Sequence, residues 1–329
     1  MIIVQTPLRV SLFGGGTDFY SYFSQHGGCV LSAAIDKYIF VTIKQRFDKK
    51  IRVGYTKTEM VDTIEEVQHE LIREALRKTG IKQGIEITTM GDIPSAGSGL
   101  GSSSTVTVGA LQAMYTYLGE IVTADRLAQE ACEIEIDILK KPIGIQDQYI
   151  VSYGGLRLIE FTKEGVITSR RLNLGEKGYR LLSNNLMLFF TGITRSASSI
   201  LQEQNNKVTD NHAYLQQLKQ FAYDAFNLIE NGNVDSIGEM LHESWQIKKK
   251  LASNITNGPI EDYYEAARKA GAIGGKISGA GGGGFLLLYC PANKQENVRQ
   301  VLSGLQELPF SIERDGTKVI FNYRRVDMR

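Results

Sequence analysis

A chain of mixed strands and helices, compatible with a two-domain α+β fold, is what this sequence predicts, and three observations lead there. Runs rich in β-branched and aromatic residues alternate with helical patterns through the first half. Two long helical patterns dominate the second half, with few strand-like runs between them. The length of 329 residues allows one large or two medium domains. The boundary is expected near residue 180, giving units 1–180 and 181–329.

The elements follow in order. Ile2–Val4 and Val10–Phe13 read as short strands around a proline turn, and Tyr38–Arg46, Ile51–Tyr55 and Ile85–Thr89 as further strands. Glu65–Lys78 places Val67, Leu71, Ile72, Ala75 and Leu76 at helical spacing, with Gly80 as a stop. A helix marked by Val106, Ala110, Ala113, Met114 and Tyr117 ends near Gly119. Another runs from Thr123, a suitable N-cap, to about Leu139. Leu156–Phe161 and Gly165–Leu172 resemble a hairpin. Leu186–Thr191 is a buried strand, and Val208–Glu230 and Val234–Ala252 are long helices broken at Asn231-Gly232. Trp245 stands four residues after Leu241 and is expected as a core anchor. Pro259–Ala270 is a shorter helix, Phe285–Cys290 a strand, and Asn293–Leu305 a helix; Asp315-Gly316 signals a hairpin turn.

Composition narrows the function. The formal net charge is +1, which argues against a nucleic-acid binder. No apolar run reaches membrane-spanning length, and the first residues show no basic stretch followed by an apolar core, so a cytoplasmic protein without a membrane partner is expected. Cys29, Cys132 and Cys290 lie far apart and read as buried reduced thiols.

The chemistry sits in three separated segments. Pro94-Ser-Ala-Gly-Ser-Gly-Leu-Gly-Ser-Ser-Ser104 runs through Gly97, Gly99 and Gly101 into a helix. Glycines allow tight turns and close approach to a ligand. A helix start offers free N–H groups and partial positive charge, so Gly97, Ser98, Gly99, Leu100, Gly101, Ser102, Ser103 and Ser104 suit a nucleotide polyphosphate. The other two segments are Pro7-Leu-Arg-Val-Ser-Leu-Phe-Gly-Gly-Gly-Thr-Asp-Phe19 and Lys276-Ile-Ser-Gly-Ala-Gly-Gly-Gly-Gly-Phe285. No Gly-Lys-Ser/Thr follows the loop, which excludes an ordinary P-loop.

In this order and separation the three segments resemble the motifs of the GHMP small-molecule kinases. The resemblance implies a two-domain α+β fold, with an N-terminal unit like domain 2 of ribosomal protein S5 and a ferredoxin-like C-terminal unit. Gly14-Gly-Gly-Thr-Asp18, Gly144-Ile-Gln-Asp-Gln148 and Gly279–Gly284 are similar to the branch that phosphorylates the anomeric oxygen of D-glycero-D-manno-heptose 7-phosphate. Galactokinases carry an acidic residue and a histidine where Gly15 and Gly16 stand, so this chain leaves more room near the sugar. Fucokinase and galactokinase-like activity remain as alternatives, as does a sugar- and ATP-sensing protein without catalysis.

By that resemblance ATP and Mg²⁺ are the cofactors and a sugar phosphate the partner. Asp147 faces the attacking hydroxyl, as base or only to orient it, and Arg9 stabilises charge there. Ser103 and Glu135 hold the metal; a solvated helix face is the alternative for Glu135, beside Glu130, Glu133 and Asp137. Gly15, Gly16, Thr17, Asp18, Gln146, Gln148, Gly281 and Gly282 are expected to contact substrate. Arg195, in a loop after a buried strand, is expected to bind the substrate's own phosphate, with Lys140 and Lys141 as weaker candidates. Lys276 is read as a solvated strand lysine without a role.

Overall fold

The computed structural model describes residues 1–94, 97–193 and 197–323. The elements of the first half are β1 (Ile2–Phe13), α1 (Tyr20–His26), β2 (Gly28–Gln45), β3 (Ile51–Gly54), β4 (Thr58–Val61), α2 (Glu70–Thr79), β5 (Ile85–Gly91), α3 (Ser102–Leu118), α4 (Ala124–Cys132), α5 (Gln146–Tyr153), β6 (Leu156–Phe161) and β7 (Ile167–Arg171). There follow α6 (Gly175–Asn185), β8 (Leu186–Phe190), α7 (Ala197–Asn206), α8 (His212–Glu230), α9 (Ile237–Lys248), α10 (Gly258–Ala270), β9 (Gly274–Ile277), β10 (Phe285–Tyr289), α11 (Gln295–Val301), β11 (Gln306–Glu307) and β12 (Lys318–Asn322).

Two sheets organise the molecule. The larger has the strand path β12-β1-β2-β5-β3-β4, with β6 paired to the first part of the long β2 and β7 to β6. The smaller is antiparallel with order β11-β8-β10-β9. Helices pack on both, as the α+β class requires. The smaller sheet builds its own core, in which Trp245 and Tyr264 are buried against Leu286 and Leu288. The larger sheet's core also takes in Ala222, Phe226 and Ile229 of α8, so the two halves share apolar surface.

Several expectations are corrected. β1 is one continuous strand, because Pro7 sits where its register to β2 shifts and no ladder N–H is needed. The helix from Thr123 changes at Glu133 into a π-helical segment, Glu133–Ile138. The Thr123 cap is as expected, its hydroxyl accepting the Arg126 N–H. Asp315-Gly316 makes no hairpin. That segment packs on the end of α5, where the Thr317 amide donates to Val151 O at 2.9 Å, and β12 then pairs with β1. Residues 318–322 therefore lie in the first unit's sheet rather than with the rest of 181–329.

Candidate active site

The three glycine-bearing segments meet at the junction of the sheets. Gly97, Gly99 and Gly101 all have positive φ (69°, 72° and 80°), which a side chain would strain. A Cβ on Gly99 would lie 2.4 Å from Ser278 O, and one on Gly284 would lie 2.6 Å from Ser98 O. The Gly97–Gly101 loop and the Ser278–Gly284 segment thus touch backbone to backbone. β1 joins them through the Arg9 amide, which donates to Leu100 O at 3.0 Å.

Arg9 and Asp147 form the centre. The Arg9 Nε and Nη2 groups donate to the two Asp147 carboxylate oxygens, both at 2.6 Å, while Nη1 donates to Gly99 O at 2.6 Å. Arg9 is buried, and the Asp147 side chain keeps 20% of its surface exposed. The fork is a bidentate pair that fixes the carboxylate's plane and leaves its outer lone pairs to the cleft. Asp147 sits in the first turn of α5, where a negative charge is favoured. Gly101 makes the pair possible, since a Cβ there would stand 3.0 Å from Arg9 Cγ.

Next to this pair, α3 begins without a side-chain cap. Its first amides are available to an anion. The exposed Ser103 hydroxyl donates to Glu135, and Gln148 Nε2 donates to the other Glu135 oxygen at 3.0 Å. Glu135 is fully buried, which excludes the solvated helix face. The π-helical segment carries it inward, a geometry that interrupts regular helices mostly at functional sites. Burial raises its carboxyl above the ordinary value, opposed by the Ser103 hydroxyl, Lys141, Ser104 and Gln148. A hydroxyl and a carboxylate side by side are hard oxygen donors of the kind Mg²⁺ takes, so the pair fits that ion.

On the other side of Asp147 lies a narrow cleft lined by Ser11, Gly15, Asp18, Gln146, Lys248 and Gly279. Asp18 is buried and accepts from the Gly16 amide and from Gln146 Nε2, both at 2.9 Å. Burial raises its carboxyl above the ordinary value, the Gly16 amide opposing this and Asp147 adding to it. Gly144 lies against Asp18 so closely that a Cβ would stand 2.0 Å from its oxygen. Ser11 Oγ and Gln146 Oε1 are buried without hydrogen-bond partners among the described residues. Such orphans in a cleft wall point to a polar ligand.

The remaining expected residues divide. Gly15, Gly16, Asp18 and Gln146 line the cleft. Thr17 does not. Its hydroxyl is directed at Gly14 O and Cys29 O, both at 2.9 Å, and accepts the Cys29 amide, so it pins the turn to β2. Gln148 is turned to Glu135 instead of the cleft. Gly281 and Gly282 face Ile255, whose carbonyl accepts the Gly282 amide at 2.7 Å, and Gly279 and Ala280 form the cleft wall in their place. Arg195 lies outside the described residues. Lys141 pairs with Glu70 at 3.0 Å. Lys276 is buried rather than solvated and donates to Ser11 O at 2.9 Å and Leu12 O at 3.1 Å.

Sequence reading missed Lys248. This lysine, 5% exposed, donates to Gly279 O at 2.6 Å from the end of α9. Burial lowers its ammonium to about 8, Arg9 reinforcing the shift and Asp18 and Asp147 opposing it. The signal was present: Lys248 falls three residues after Trp245 and seven after Leu241, on the apolar stripe. The run Lys248-Lys249-Lys250 disguised it as a solvated helix end.

Comparisons with known proteins identify the family. Residues 64–155 match the GHMP kinases N terminal domain, and residues 225–307 match the GHMP kinases C terminal domain. The D-glycero-alpha-D-manno-heptose 7-phosphate kinase of Campylobacter jejuni is 30% identical over 96% of this chain and 98% of its own. The L-fucokinase/L-fucose-1-P guanylyltransferase of Bacteroides fragilis is 27% identical over 86% of this chain, which spans 34% of that longer protein. A crystal structure of a D-glycero-D-manno-heptose 1-phosphate kinase from Bacteroides thetaiotaomicron superposes with a TM-score of 0.82 at 26% identity, covering 98% of this chain and 100% of that one. Both matched domains occur in order, and a relative aligns nearly end to end: the chain belongs to the GHMP kinases and is an ATP-dependent phosphotransferase.

Proposed function

We propose that this protein transfers the γ-phosphoryl group of ATP to the anomeric hydroxyl of a sugar phosphate. The acceptor is D-glycero-D-manno-heptose 7-phosphate and the product its 1,7-bisphosphate. The observation that carries the reading is the Arg9–Asp147 fork, with both bonds at 2.6 Å, set between an uncapped helix N-terminus and a polar cleft. The heptose acceptor is supported by the 30% identical relative and by Gly15 and Gly16, which leave space beside the sugar.

ATP lies with its phosphates on the α3 amides of Ser102–Ser104. A second cleft, lined by Tyr55, His69, Met90, Pro94 and Val106, accepts the base; Val106 is one helical turn beyond Ser103. On the acceptor side Asp18 and Gln146 receive sugar hydroxyls. Asp147 holds the reacting hydroxyl and takes its proton as the oxygen–phosphorus bond forms and the bond to ADP breaks. Anomeric hydroxyls are more acidic than ordinary alcohols, so a carboxylate held by Arg9 suffices as acceptor of that proton. Arg9 also opposes the charge on the transferring group. Ser103 and Glu135 would hold Mg²⁺, which when bound neutralises phosphate charge.

The test is ADP release with the heptose phosphate, L-fucose, galactose and mevalonate as acceptors, with the phosphorylated oxygen located by NMR. Turnover of the heptose phosphate at O1 is expected; turnover of another sugar alone overturns the acceptor assignment. Asp147→Ala lowers kcat by about 10²–10⁴-fold with ATP binding intact, and Asp147→Asn behaves alike. Wild-type rates in both variants would remove Asp147 from the mechanism.

A further inference from the structure

We propose that Lys248 determines acceptor specificity: its ammonium binds the phosphate the sugar already carries, in a subsite that Gly15 keeps open. This rests on the sugar-phosphate reading above and names the residue that recognises the phosphate.

Donor and space arguments coincide at one spot. An ammonium has three N–H donors. Among the described residues Lys248 uses one, on Gly279 O at 2.6 Å, and forms no ion pair. A Cβ placed on Gly15 would stand 3.6 Å from Ser11 Oγ, 3.7 Å from Gln146 Nε2 and 4.0 Å from Lys248 Nζ. The position is therefore ringed by polar atoms and vacated by the missing side chain. Ser11 Oγ is buried and unpartnered there, ready to donate to a phosphate oxygen.

The charges point the same way. Arg9 and Asp147 neutralise each other through the fork. Asp18 already accepts from the Gly16 amide and Gln146. Lys276, beneath the floor, is held by two carbonyls of β1. What remains is the Lys248 ammonium, with two N–H donors unpartnered among the described residues, buried at a desolvation cost that a further acceptor would offset. The groups that face this ammonium are Arg9 of β1, Asp18 of the turn after it, Asp147 of α5 and Lys276 of β9. The depressed value near 8 reflects burial first.

The experiment compares wild type, Lys248→Met, Lys248→Gln and Lys248→Arg at saturating ATP, with heptose 7-phosphate and with the unphosphorylated heptose. In the Met and Gln variants KM for the sugar phosphate rises by about 10–100-fold, the range of a lost hydrogen bond to a charged group. KM for ATP stays as in wild type, KM for the unphosphorylated heptose rises at most a few-fold, kcat falls less than KM for the sugar phosphate rises, and Arg restores part of the loss. Wild-type KM for the sugar phosphate also climbs above pH 8 as Lys248 loses its proton; the Arg variant shows no such climb. Equal losses on both sugars, a fall in kcat at constant KM, or no change in either neutral variant overturns the proposal. A wild type that turns over only unphosphorylated sugars refutes the acceptor reading itself, whereas one that uses the sugar phosphate and tolerates both neutral variants refutes Lys248 alone.

Discussion

Glu135 illustrates how a single residue carries opposed demands. Its carboxylate is buried, so its pKa in the folded chain lies above the unfolded value. The folded state then binds the proton more tightly, and stability falls as pH rises through this window. At neutral pH without metal the charge is a liability that Ser103 and Gln148 only partly offset. Glu135→Gln keeps the shape and removes the charge. Calorimetry of the metal-free protein should give a Tm higher by about 2 °C at neutral pH, with the gap closing on acidification. Turnover with ATP and Mg²⁺ should drop by about 100-fold. A less stable variant with unchanged turnover would contradict the metal-binding role.

At the scale of elements, the interlock of two glycine loops sets the site. Gly99 has positive φ, and its missing Cβ admits Ser278 O. Gly80 also has positive φ but faces open space. Gly80→Ala therefore reports backbone strain alone, about 1 kcal/mol, whereas Gly99→Ala adds a backbone clash and should cost about 2–3 kcal/mol more in urea unfolding. Only Gly99→Ala should also depress kcat/KM, since Arg9 Nη1 donates to the Gly99 carbonyl. Equal effects from both substitutions would mean that the loops need no close approach. The motif spacing made these loops legible in the sequence. The π-helical turn at Glu133–Ile138 was not, because it keeps the residue types of an α-helix and differs only in its wider hydrogen-bond step.

For the whole molecule, closure of the larger sheet matters most. β12 covers the free edge of β1, and β1 carries Arg9. The Met1 amino group donates to Tyr323 O, and Thr6 Oγ1 meets Thr317 Oγ1 at 2.8 Å. Removing residues 317–329 uncovers a strand edge, a template for pairing with other chains. The truncated chain should melt several degrees lower and self-associate in gel filtration. An unchanged Tm and elution would show β12 to be dispensable.

The sequence alone carried most helices and the glycine loops, through periodicity and glycine positions, and carried the family, the α+β class and the roles expected of Arg9 and Asp147 through the resemblance of its motifs. Tertiary structure alone decided which neighbours of a motif serve the cleft. Thr17 and Gln148 sit inside motifs yet are consumed by Cys29 and Glu135, while Lys248, outside every motif, reaches Gly279 thirty-one positions away. The physical reason is that a buried polar atom takes whatever partner packing brings to it, and partners distant along the chain leave no mark in local spacing.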